Sequence, residues 1–388
     1  MTDLSINTAF GQAMQNRVGI IGGASIIEPE NLELSVEETV FLTVRQAMKE
    51  AGLQRSDIDT VVQCADDVLD GISINHVYQV EAAGSFLKDE SKVERDGAWG
   101  AMYAMAKILT GKFQTAMVVA YSKASQVGYS AFSAMSADPF YLRPVGADGD
   151  SIAALQAQFY MQASGANEMD FAEIAARNRR KGSLNPRCMQ GQGMDLVARD
   201  IIDSQPVADP LRELSIARAG DGCVVLFLAS EQYIKENSLA ASFVQGVGFA
   251  SDAYYPTFRN LGAVASARVA LEKASAQAGM KSTDVDFAEV QEIYAHQELM
   301  LYEALQLTGS LSGPRWLRSD ANQIQVNPSG GTICSHVPYA TGLMRMLEAH
   351  LQIQGKAGPV QLKKADRALV HAQAGLAMQS NIVFFLER

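Results

Sequence analysis

The stretch Lys92–Met102, KVERDGAWGAM, has the layout of a strand end, a sharp turn and a helix N-terminus. Free N–H groups at a helix start stabilise an anion, so such turns often present a nucleophile. Here no Cys, Ser or Thr stands at the turn, only Asp96 and Gly97. Either the site is dead, or its chemistry needs no covalent step. Asp96 reads as a helix cap, with a catalytic acid or base as the alternative. Asp66, Asp67 and Asp70 in CADDVLDG lack an oxygen-ligand pattern and read as a solvated loop. The cysteines Cys64, Cys188, Cys223 and Cys334 are scattered without zinc-ligand spacing, so no metal is expected in this chain. The basic run ARNRRKG, residues 176–182, is either a holder for one phosphorylated ligand or a solvated helix end.

The elements that must position these residues alternate. RVGIIGGA (17–24), DTVVQC (59–64) and TAMVVAYS (115–122) read as strands. SVEETVFLTVRQAMKEAG (35–52) reads as an amphipathic helix, with Ser35 and Glu38 as a capping box and Gly52 as its stop. GAWGAMYAMAKILTGK is a helix of small residues. Strand and helix in turn predict a mainly parallel sheet covered on both faces. AGLQRSDIDTVV (51–62) and AGMKSTDVDFAEV (278–290) agree in order and spacing, and GAMYAMAKILTGK resembles GLMRMLEAHLQIQGK. This is the mark of an internal duplication, two α/β halves about a pseudo-twofold axis. The long, mostly helical insertion after Ser122 is a natural ligand cover or dimer element. The facing loops beyond the strand ends should form the pocket.

Composition excludes several classes. A net charge of -11 over 388 residues argues against a broad nucleic-acid or anionic-membrane surface. No apolar run is long enough to span a bilayer. The N-terminal MTDLSINTAFGQAMQN lacks the basic start and apolar core of a signal peptide. The cysteine usage fits a reduced, cytoplasmic setting.

The duplicated halves together with VNPSGGTICSHVPYATG (326–342) resemble the thiolase superfamily. RAGDGCVVLFLASE (218–231) and GSLNPR (182–187) are similar to segments of its sterol-carrier or lipid-transfer-protein branch. The resemblance implies a duplicated five-layer α-β-α-β-α fold with an inserted, mostly helical loop domain. Its first half would comprise residues 17–121 and 220–245, its insertion 122–219, and its second half 246–388. Gly97 falls where the family carries its nucleophilic cysteine, and QEIY, Gln291 to Tyr294, where it carries Asn-Glu-Ala-Phe or His-Asp-Cys-Phe. His336 stands near the usual histidine, and His371 falls in the final loop.

Without a cysteine at the turn, thiolysis lacks its acyl acceptor. Retro-aldol cleavage of a β-hydroxyacyl-CoA has no covalent step and needs a general base, a proton donor and an oxyanion hole. The resemblance extends to retro-aldolases of bacterial steroid side-chain degradation, which rely on tyrosines in these loops. It implies Tyr294, Tyr339, His336 and His371 as catalytic residues, with His336 donating to the thioester oxygen. Gly97, Gln291, Asn327, Gly330 and Gly331 would hold the substrate, the two glycines by backbone N–H groups. Two alternatives stand beside this reading: a thiolase or acyltransferase using a displaced cysteine such as Cys334, and a non-catalytic acyl-CoA-binding subunit. The chain itself is expected to need no cofactor, with a coenzyme A thioester as substrate. The resemblance implies a homodimer and a small OB-fold companion carrying a zinc ribbon.

Overall fold

The computed structural model describes residues 17–308, 312–319 and 324–388, so the N-terminal stretch read for a signal peptide lies outside them. Among the described residues, the strands of the main sheet are β1 (Val18–Glu28), β2 (Thr60–Cys64), β3 (Asp89–Val93), β4 (Thr115–Lys123), β7 (Asp221–Ser230), β8 (Ser242–Ser251), β9 (Phe287–Val290), β10 (Gln325–Val326), β11 (Arg367–Ala374) and β12 (Ser380–Glu387). β5 (Pro206–Ala208) and β6 (Leu211–Arg212) form a separate small ribbon.

The sheet order is β3-β2-β4-β7-β1-β8-β12-β11-β9-β10. Read outward from the centre, both halves run the same way: two antiparallel pairings, then two parallel ones. They join where β1 meets β8 antiparallel, with Val18 opposite Val244. The duplication seen in the sequence is therefore a duplication of topology. The expected division at 245/246 falls inside β8.

The repeated AGxxxSD and AGxxxTD segments have a local cause. In each, an aspartate caps a 3₁₀ turn: Asp57 accepts from the Gln54 N–H at 2.7 Å, Asp284 from Lys281 at 2.8 Å. Two residues on, Asp59 accepts from the N–H groups of Gln114 and Thr115, and Asp286 from those of Asp366 and Arg367. Each acid thus ties one strand's approach to the start of the next.

The eight longer helices are α1 (Val36–Ala51), α2 (Gly97–Leu109), α3 (Tyr129–Met135), α4 (Gly149–Ser164), α5 (Glu168–Gly182), α6 (Ala265–Ala278), α7 (Ala295–Ala304) and α8 (Thr341–Ile353). α1 begins with the Ser35–Glu38 capping box and ends at Gly52 in the left-handed region. It covers the outside of the first half-sheet, α6 the outside of the second, and α2 and α8 pack together between them. That is five layers, α-β-α-β-α. The middle position explains the small residues of α2: a Cβ on Gly100 would collide with Cys64 Sγ. The insertion supplies α3, α4 and α5. Among the described residues, no helix is long and apolar enough to cross a membrane.

Candidate active site

The loops beyond the strand ends of both halves, with α3 and the start of α4 from the insertion, enclose a cavity of about 150 Å³. Its lining includes Asp96, Tyr129, Phe132, Gln291, Tyr294, His336, Tyr339 and Gln373. Four expected site residues, Tyr294, Tyr339, His336 and Gln291, therefore meet in one place.

Tyr294 follows β9 and precedes α7. Its N–H and that of Ile293 donate to Gln297 Oε1, and it bridges to Ile216 of the insertion. Its hydroxyl donates to Asp150 Oδ1 at 2.8 Å, from the first turn of α4. Tyr339 is held in the left-handed region at φ +64°, costly for a bulky side chain and therefore imposed by its surroundings. Its carbonyl accepts from the Gly97 N–H at 2.6 Å, and its hydroxyl donates to Asp66 Oδ2 at 2.5 Å. Burial and the adjacent carboxylates push both phenols well above their ordinary value, so both stay protonated. Burial also raises Asp150. The sequence marks neither acid: nothing in it singles out Asp150, and Asp66 stands in a stretch that reads as a solvated loop but is the acceptor for Tyr339.

His336 is buried, and burial lowers its pKa to about 4, so it is neutral. Thr341 Oγ1 spends its proton on the Val337 carbonyl at 2.7 Å. It must therefore accept from His336 Nδ1, 2.9 Å away, which leaves Nε2 an unprotonated acceptor with no protein partner. The expected thioester-oxygen donor is thus an acceptor in its resting form. Gln291 Oε1 accepts from the Gln373 N–H at 3.1 Å, leaving its amide nitrogen as the free donor. The Tyr129 ring stands edge-on to His336, centroids 5.7 Å apart, and burial lifts its phenol to about 12.

Five expected site residues do not reach the cavity. Gly97 is buried at the first turn of α2; its N–H is taken by Tyr339, and a Cβ there would lie 2.7 Å from Leu343 Cβ and 2.9 Å from Ala120 Cβ. The nucleophile's place is filled, not merely vacant. Asp96 caps two helices at once, accepting from Ala98 N–H in α2 and Gly342 N–H in α8 at 2.9 Å each. Burial raises it to about 7 against these bonds. His371 lies inside β11, short of the strand end that begins the cavity lining at Gln373, and its Nε2 donates to Asn381 Oδ1 at 2.8 Å.

Asn327 faces inward: Oδ1 accepts from Val290 N–H at 2.8 Å, and Nδ2 donates to Glu292 and Glu298 at 2.9 Å each. The N–H groups of Gly330 and Gly331 go to Asn327 O and Ser329 Oγ. Both glycines have positive φ; a Cβ on Gly330 would meet the Gly182 backbone, and one on Gly331 the Glu292 carboxylate. They serve close packing, not an oxyanion hole. Most of the basic run is turned inward too: Arg177 pairs with Glu298, Arg179 binds the Leu214 and Gln192 carbonyls, and Lys181 the Val326 carbonyl, while Arg180 is exposed. Cys334 is buried outside the cavity, its pKa raised by the Cys188 thiol and by burial.

Residues 250–388 match the family described as thiolase C-terminal domain-like. The chain is thiolase-like. Its likeness to sterol carrier protein 2 of Gallus gallus is 29% identity over 231 residues, 55% of this chain and 40% of that protein. The chain thus spans two fifths of that relative's length. To the acetyl-CoA acetyltransferase of Methanothermobacter thermautotrophicus it is 23% identical over 372 residues, 92% of this chain and 96% of the relative. Among solved structures, the Ltp2-ChsH2(DUF35) aldolase superposes with a TM-score of 0.79 at 20% identity, covering 96% of this chain and 97% of that one. At that identity the superposition speaks for the fold of this thiolase-like protein alone.

Proposed function

We propose that this thiolase-like protein cleaves a β-hydroxyacyl-CoA by non-covalent retro-aldol chemistry, releasing a ketone or aldehyde and a shorter acyl-CoA. The observation that carries the reading is the pairing in the cavity: each of two phenols is backed by a carboxylate, and no thiol lines the wall. A phenol whose proton points at a carboxylate presents its oxygen to the substrate. It accepts the substrate hydroxyl proton while passing its own to the acid, so the pair acts as one base. Burial raises the proton affinity of Asp150, which fits Tyr294 for this step. Once charged, the pair holds an extra proton that the phenol returns to the α-carbon. Tyr339 with Asp66, and His336 Nε2, supply further acceptors that orient the hydroxyl. Gln291 Nε2 is a donor for the thioester oxygen.

The cysteine alternative is disfavoured by Cys334, buried outside the cavity with a raised pKa, and by the filled space at Gly97. The test pairs iodoacetamide treatment with Tyr294→Phe and Tyr339→Phe, assayed on a panel of β-hydroxyacyl-CoA thioesters for free carbonyl product. Cleavage that survives alkylation and collapses in the phenylalanine variants is expected. A thiol-dependent activity indifferent to both tyrosines would overturn the reading.

We further propose a homodimer, supported by the outermost strand β3 and the exposed apolar side chains beside it, Ile72, Ile74, Val77, Tyr78 and Leu87. A small companion chain is proposed by analogy with the Ltp2-ChsH2(DUF35) aldolase; that it carries its own zinc rests on the family resemblance alone. The four unpaired cysteines fit a reducing, cytoplasmic setting.

A further inference from the structure

Three phenols line the cavity, but their protons are not equivalent. Those of Tyr294 and Tyr339 are committed to Asp150 and Asp66. The hydroxyl of Tyr129 has no hydrogen-bond partner among the described residues. Yet the side chain is fixed: its ring packs edge-on against His336 and tilted against Phe132 at 5.9 Å, and Phe132 in turn meets the Tyr339 ring at 6.4 Å. The ring thus stands beside both the imidazole and the aromatic wall that carries Tyr339. Gly128, at φ +59°, starts the helix and turns Tyr129 into its first position.

We propose that Tyr129 is a catalytic residue, the hydrogen-bond donor to the thioester oxygen of the acyl-CoA enolate. This rests on the retro-aldol reading above and completes its balance. When the hydroxyl proton leaves, the Cα–Cβ bond breaks and the carbonyl forms on the departing fragment. The electron pair of the broken bond becomes the enolate double bond, and the thioester π pair moves onto oxygen. The neutral Gln291 amide meets that oxygen from one side, and the full charge of an enolate calls for a second donor. Tyr294 and Tyr339 present acceptors at this point, and neutral His336 has no proton on the nitrogen facing the cavity. Tyr129 has a proton to offer, and no existing bond must be given up to offer it. Protonation at the α-carbon then returns the oxygen to a neutral carbonyl.

The test is Tyr129→Phe in the full chain, which removes one unpartnered oxygen and keeps the ring stack. Two rates are read: cleavage of the best β-hydroxyacyl-CoA, and uptake of deuterium at the α-carbon of acetyl-CoA in heavy water, which forms the same kind of enolate without a ketone. Both are expected to fall by roughly 10²-fold, the scale of losing one oxyanion donor, with the loss in kcat and little change in KM. Wild-type rates in the variant, or a loss confined to KM, would overturn the assignment while leaving the retro-aldol reading intact. A wild-type protein inert in both assays would remove that reading and this assignment together.

Discussion

The cavity wall and the buried polar layer behind it use similar residues for opposite ends. Behind the wall, the Asn327 amide, Glu292 and Glu298 satisfy one another, and Arg345 is enclosed by Glu289, Ser329 and Ser335. These bonds hold the loops behind the wall in place. On the wall, His336 Nε2 has no protein partner among the described residues, and Tyr129 and Gln291 line the same cavity. The scaffold layer is bonded at nearly every polar atom, Arg345 Nε and Thr332 Oγ1 excepted, whereas the cavity wall gathers donors and acceptors toward one space. The Asn-Pro-Ser-Gly-Gly stretch, the most specific motif of the sequence, belongs to the scaffold side.

The comparison is broken most forcefully from behind. Arg345→Ala leaves Glu289 buried without its ion pair, at 2.7 Å in the native protein. A loss of about 3–5 kcal/mol is expected in urea unfolding. A variant as stable as wild type would mean the layer is not scaffold. On the wall, Tyr294→Phe should do the reverse: cleavage falls by roughly 10²–10⁴-fold, the range for a lost general base, with the unfolding midpoint nearly unchanged. Equal damage to activity and stability from both variants would erase the distinction.

How far the sequence could be read follows the same line. Features with local causes were legible. The capping box at Ser35 and Glu38 and the twin Asp57 and Asp284 turns are closed within a few residues, so their patterns survive as text. The loops that carry Tyr294 and Tyr339 stand out in the sequence, and the fold brings both side chains to the cavity wall. Their acids do not stand out: Asp150 lies 144 residues from Tyr294, and Asp66 lies 273 from Tyr339. Only the fold joins those pairs. His371 misled because a loop position in the sequence is a strand interior in the structure, one turn of the pleat below Gln373. Asn327, Gly330 and Gly331 misled because a motif that recurs for packing looks the same as one that recurs for binding.

Gly97 probes the boundary between the two regions. Its missing Cβ would press on Leu343 in α8 and Ala120 in β4. Gly97→Ala should cost about 1–3 kcal/mol in unfolding as overpacking of the middle layer. Gly97→Cys should be no less destabilised and should gain no thiolysis, because the side chain would enter the core and not the cavity. An acylated cysteine in that variant, detected by mass, would show that the wall can still yield room for a nucleophile.

The mildest probe is pH. Asp150 can take the Tyr294 proton only when ionised, so cleavage should decline as pH falls through its folded-state pKa, which burial raises above the ordinary 3.8. The acid limb of kcat/KM should therefore lie above the usual carboxylate range, and Asp150→Asn should abolish it along with most of the activity. Linkage gives the matching sign for stability. A carboxyl with a raised folded pKa favours the native state most when protonated in both states, and that contribution is lost as pH rises through the folded value. Asp150→Asn should flatten this decline at the acid end, whereas Asp66→Asn leaves Tyr339 an oxygen to donate to but removes the carboxylate that could take its proton, and so tests the other pair. An acid limb that persists unchanged in Asp150→Asn would assign the titrating group elsewhere on the wall, with Asp96, raised to about 7 by burial, the next carboxyl to replace.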